Sequence, residues 1–112
     1  MVPVNTAPER IPLNLRVGHL LRINGYLDMA ILSLWVVPER VAVTMGMVEA
    51  SVRGAGPGGE GGPDEEFLAE LRNLIGEARE YYAAEDSQAA MARMRVAEDL
   101  LALRIIRLAG DG

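Results

Sequence analysis

Arg10–Val37 reads RIPLNLRVGHLLRINGYLDMAILSLWVV, and the period assigned to this stretch decides the fold. From Ile11 to Ile23 the odd positions carry Ile11, Leu13, Leu15, Val17, His19, Leu21 and Ile23, while the even ones are mostly polar. A two-residue alternation is the signature of a strand with one side on a core. Asn24-Gly25 follows, the pair best suited to φ > 0 at both central positions of a type I′ turn. The apolar run Tyr26–Val37 then returns, pairing Ile23 with Tyr26, Leu21 with Asp28 and His19 with Ala30.

A helix competes for the same residues. Leu13, Val17, Leu20, Asn24, Leu27, Ile31 and Leu34 fall at alternating steps of four and three. That seam scatters Leu15, Leu21, Ile23, Tyr26, Met29 and Leu32 around the rest of the cylinder. It also sets Gly25 in mid-helix, at a cost of about 1 kcal/mol relative to Ala. The hairpin is therefore the expectation.

Working outward, Met1–Glu9 with Pro3 and Pro8 reads as a loose arm. Val41, Val43, Met45 and Met47 alternate with smaller residues and then change phase beside Gly46, as a third strand with a bulge would. Val41, Met45, Val48 and Val52 also fit a helix, so 38–53 is left open between the two. Gly54–Pro63 (GAGPGGEGGP) reads as a flexible spacer, about 17 Å long at 5–6 Å × √n. Its match to G-x-G-x-x-G carries no dinucleotide site, because Pro57 interrupts it and no repeated βαβ sheet surrounds it.

Residues 64–109 read as a helical hairpin. Asp64, Glu65 and Glu66 favour a helix start. Phe67, Leu71, Leu74, Ala78 and Tyr81 form one stripe, and Ala90, Met94, Ala97, Leu101, Ile105 and Leu108 form another. Ala78, Tyr82, Asp86, Ala90 and Ala97 resemble a tetratricopeptide hairpin. Arrays of that kind need about three repeats, and this chain has room for one. The expected fold is thus α+β: a short antiparallel β-meander over 10–53 packed with a two-helix hairpin, in one globular domain. The alternative is an all-α bundle.

Composition narrows the function. The 112 residues carry a net charge of −5, and this acidic balance argues against a nucleic-acid partner; that all eleven basic residues are arginine carries no functional weight. There is no cysteine, so disulfides, thiolate catalysis and zinc–thiolate sites are excluded. No stretch approaches the roughly 20 apolar residues of a membrane span. Neither export nor a membrane is expected, and the chain reads as cytoplasmic.

His19 is the only histidine, and no nucleophile or orienting acid can be assigned to it. Glu66, Glu70, Glu77 and Glu80 have no histidine beside them to make a carboxylate-bridged metal site. No catalytic residue, metal or cofactor is expected. A three-stranded sheet apolar on both faces has only one helical layer to cover it. The first expectation is therefore a non-catalytic assembly or regulatory module acting as a homo-oligomer, through Leu20, Leu27, Met29, Ile31, Trp35 and Val37. The alternative is a small-molecule-binding domain, with a pocket between sheet and helices at His19, Tyr26 and Asp28.

Overall fold

A computed structural model describes residues 11–111, and the expected arm at 1–9 lies outside them. Among the described residues there is no strand. The chain forms α1 (Leu13–Val36), a single 3-10 turn (Pro38–Arg40), α2 (Val41–Ser51), α3 (Glu65–Ala83) and α4 (Ser87–Asp111). The α+β expectation and its β-meander over 10–53 are overturned: the molecule is an all-helical bundle. Asn24-Gly25 is not a turn but the middle of a 24-residue helix.

The physical reason lies in where α1 sits. It packs on α2 along one flank and on α4 along the other, and α3 closes the ring against both. Leu20, Ile23, Leu27 and Ala30 are fully buried at three- and four-residue steps, with Ser33 one turn on. Each apolar side chain of Val to Phe size taken from water contributes about 1.5–3 kcal/mol. That outweighs the about 1 kcal/mol cost of each helical glycine. Gly18 and Gly25 lie where an added Cβ would meet nothing within 4 Å. They therefore weaken the helix without obstructing its packing.

Pro38 begins the 3-10 turn, whose Arg40 N–H donates to the Val37 carbonyl, and the chain then reverses into α2. Val41, Met45, Val48 and Val52 bury as the helical reading of that segment requires. Arg72 of α3 donates to the carbonyls of Val52, Arg53 and Gly54, supplying a cation and donors where α2 leaves its last carbonyls unsatisfied. Arg79 and Glu49 add an ion pair between α3 and α2.

The helical hairpin forms, but of the expected α3 stripe only Leu71 and Ala78 are buried: Leu68 and Ile75 turn inward beside them, Phe67 and Leu74 are half-buried, and Tyr81 is exposed. Leu68, Leu71, Ile75 and Ala78 of α3 share one core with Met94, Ala97 and Leu101 of α4, and Ala90 is buried one turn before Met94. Between the helices Glu85 takes φ 63°, and the Asp86 N–H reaches back to the Tyr81 carbonyl, the left-handed termination of a helix. The Asp86 carboxylate then accepts the Ala89 N–H and caps α4.

The glycine-rich segment, expected as a spacer, folds into consecutive turns, with Gly59 N–H donating to Gly56 O and Gly62 N–H to Gly59 O. It crosses the bundle end where α1 begins. There Asp64, fully buried, accepts two hydrogen bonds from Arg16 of α1 at 3.0 and 2.8 Å. It accepts a third from Arg104 of α4 at 3.0 Å, and Arg104 also donates to the Pro63 carbonyl. Burial alone would push the Asp64 pKa up. The hydrogen bonds and charges of Arg16 and Arg104 outweigh it and hold the carboxyl below its ordinary value.

Candidate functional site

His19, Arg22, Ile23 and Tyr26 stand at positions i, i+3, i+4 and i+7 of α1, on the flank that meets α2. Met47, Ala50 and Ser51, on the last turns of α2, face them. Together these seven residues line a cleft of about 320 Å³. A neighbouring depression of about 650 Å³ runs toward the start of α1, lined by Pro12, Asn14, Leu15, Gly18 and Pro57, and shares His19 and Arg22 with the first. The cleft is at the lower end of the size range of small-molecule sites.

His19 is half-buried. Burial, and then the Arg22 charge, push its pKa below the ordinary value, while the Asp64 charge and the Ser51 backbone carbonyl pull the other way and lose. The ring is therefore neutral at pH 7. The Ser51 carbonyl accepts from the imidazole, whereas Nδ1 is closed off from water without a hydrogen-bond partner. Gly56 stands over that edge: an added Cβ would lie 3.6 Å from Cε1 and 3.8 Å from Nδ1. Ser51 Oγ donates to the Val48 carbonyl at 2.6 Å, so the hydroxyl is engaged with backbone. The pair does not form a serine–histidine catalytic arrangement.

The cleft thus offers one exposed cation, Arg22, the polar groups of His19 and Tyr26, and an apolar wall from Ile23, Met47 and Ala50. Among the described residues no group of three or more His, Cys, Asp or Glu side chains could hold a metal ion. None of their helices is long and apolar enough to cross a membrane.

The residues expected from sequence divide among different surroundings. His19 and Tyr26 do share the cleft, but it lies between two helices and not between sheet and helices. Asp28 is on the opposite flank of α1, hydrogen-bonded to Glu98 of α4. Of the six expected interface residues, Leu20 and Leu27 are 0% exposed and belong to the core, where no partner can reach them. Ile31 packs half-buried against that core, and Val37 ends α1 half-buried. Met29 and Trp35 are exposed, the latter at 67%. A strand would have put Leu20 and Met29 on one side only under a hairpin register; helical geometry sends them to opposite sides. Arg22, Met47 and Ser51 went unread. The signal was present in the i, i+3 spacing of His19 and Arg22, visible once a helix is assumed.

The Asp28 carboxylate, hydrogen-bonded to Glu98, raises the Glu98 pKa from 4.5 to about 7, with burial adding to the effect. A folded-state pKa raised this way contributes stability that is full below about pH 4.5 and is lost as pH rises through about 7. His19 acts with the opposite sign: its contribution is present above about pH 6.5 and lost in more acidic solution. Glu98→Gln, which keeps a donor toward Asp28, is expected to remove the alkaline loss. From pH 6 to pH 8.5 the urea midpoint of the native chain should fall relative to that of the variant, which keeps only the opposite dependence of His19. Equal pH slopes for both would contradict the shared proton.

No protein-family model, curated protein or solved structure matches this chain.

Proposed function

We propose that this chain is a non-catalytic, cytoplasmic binding domain for a small organic anion with an apolar body, held in the α1–α2 cleft at His19. The observation that supports it is the convergence of His19, Arg22 and Tyr26 with Met47 and Ser51 on one cavity. Arg22 supplies the charge that an acidic group would pair with, and its planar fork suits a carboxylate. Ile23, Met47 and Ala50 supply apolar contact, with methionine able to adapt to the ligand's outline. The Tyr26 hydroxyl and the His19 ring orient what is bound.

Thermal unfolding with a panel of aromatic and short aliphatic carboxylates tests the reading. A carboxylate at a hundred times its dissociation constant adds about 2.7 kcal/mol. For a domain of this size that corresponds to a rise of about 10 °C in Tm. Arg22→Ala, an exposed change, should leave the unliganded Tm in place and remove most of the rise. Asp28→Asn, on the other flank, should leave binding intact. A panel that produces no shift at about 1 mM would sink the proposal. So would a shift that survives Arg22→Ala unchanged.

A further inference from the structure

α1 is flanked by α2 and α4, yet its outward side is not polar. At 100° per residue, Gly18, Leu21, Gly25, Met29, Leu32 and Val36 all fall within about 40° of the line pointing away from the bundle. Leu21, Met29, Leu32 and Val36 are all about half exposed or more. With Leu15 and Trp35 at its margins, the strip leaves roughly 650 Å² of apolar side chain in water per copy, against about 800 Å² per partner in a standard interface. Gly18 and Gly25 open directly onto solvent, and nothing inside the bundle requires them to lack a Cβ.

We propose that this strip is a self-association surface, on which a second copy of the chain lays its α1 antiparallel, with Gly25 of each copy at the twofold axis. The pattern is self-complementary about that residue, as an isologous contact requires. In an antiparallel pair centred on Gly25, the residues whose numbers sum to fifty stand at one level. Gly18 then lies beside the partner's Leu32, and Leu21 beside the partner's Met29, so small meets large and apolar meets apolar. Arg22 and Asp28 stand on opposite rims, about 60° to either side of the line through Gly25, so the middle of the strip carries no charge. The glycines allow the helix axes to approach closely where they cross. Of the other exposed apolar residues, Val43 of α2 and Tyr81 of α3 stand singly, and Val96, Leu103 and Ile106 of α4 are interleaved with Arg95, Asp99 and Arg107 and form no such strip.

Light scattering coupled to size exclusion, at tens of micromolar, should give twice the 12.1 kDa chain mass. Leu32→Glu should weaken the dimer at least tenfold with helical circular dichroism unchanged, because Leu32 is 61% exposed. Leu103→Glu, an equal change on α4, should leave the dimer intact. Because the chain has no cysteine, Gly25→Cys should give a covalent dimer under mild oxidation, and Ala102→Cys should not. A native chain that runs as a monomer overturns the proposal, whether it is inert or is captured by phosphatidylcholine vesicles. A dimer broken by Leu103→Glu and not by Leu32→Glu overturns it as well. None of these readouts depends on a ligand in the α1–α2 cleft.

Discussion

Asp64→Ala is expected to cost about 3 kcal/mol, the range found when one member of a buried ion pair is removed. The carboxylate has no exposure, and three hydrogen bonds tie it to α1 and α4, elements far apart in sequence. Its removal takes the counter-charge from between two guanidinium groups whose side chains are only 16% and 28% exposed. Arg104 lies 5.0 Å from the Phe67 ring and keeps that contact, so part of its environment survives. The pH dependence provides a second check. Because the Asp64 pKa is lowered from 3.8, its contribution is present above about pH 4 and is lost as the solution falls through the lowered value. Denaturant midpoints should therefore separate native from variant at pH 7 and converge toward pH 2. A difference below about 1 kcal/mol at pH 7, the level of a surface pair, would show that the clamp contributes no more than an exposed ion pair.

Gly56→Val is expected to destabilise by about 3 kcal/mol, from two separate causes. At φ +82° a β-branched residue is strained, by about 1–2 kcal/mol for the left-handed region alone. A Cβ there would also sit 2.6 Å from Cδ1 of Leu68, itself completely buried, so the core must shift to admit it. Gly59→Val separates the two causes: φ is +66°, but nothing lies within 4 Å of the added carbon. Gly59→Val should cost only the backbone part. Equal and negligible effects at both positions, read from urea midpoints, would restore the flexible-spacer reading of Gly54–Pro63.

The glycine-rich segment shows what composition leaves out. Six glycines in ten residues describe an unfolded chain with few constraints. Whether each glycine is a hinge or a fitted surface depends on what lies across from it, here Leu68 and the His19 ring. The same holds for Asp64. In the string GGPDEEF it is one more acid at a helix start, and nothing local distinguishes it from Glu65 or Glu66. Only the arrival of Arg16 and Arg104, 48 and 40 residues away, buries it.

The C-terminal hairpin was legible because each of its helices has one buried stripe and a polar remainder. Hydrophobic spacing, acidic start and the Asp86 cap then all point to the same structure. The sequence by itself also determined the absence of thiol chemistry and the net negative charge. The N-terminal half escaped because α1 is covered by α2 and α4 and carries a further apolar strip on its outward side. A helix apolar nearly all round loses its 3.6-residue signal, and a chance alternation from Ile11 to Ile23 then looks like a strand. Tertiary packing alone decided between the two periods, since burying Leu20, Ile23, Leu27 and Ala30 together requires a helix between α2 and α4. That decision also made the cleft. The hairpin register would also have put His19 and Tyr26 on one face, but Arg22, three residues from His19, would have stood on the opposite face of a strand and joins them only on the flank of a helix.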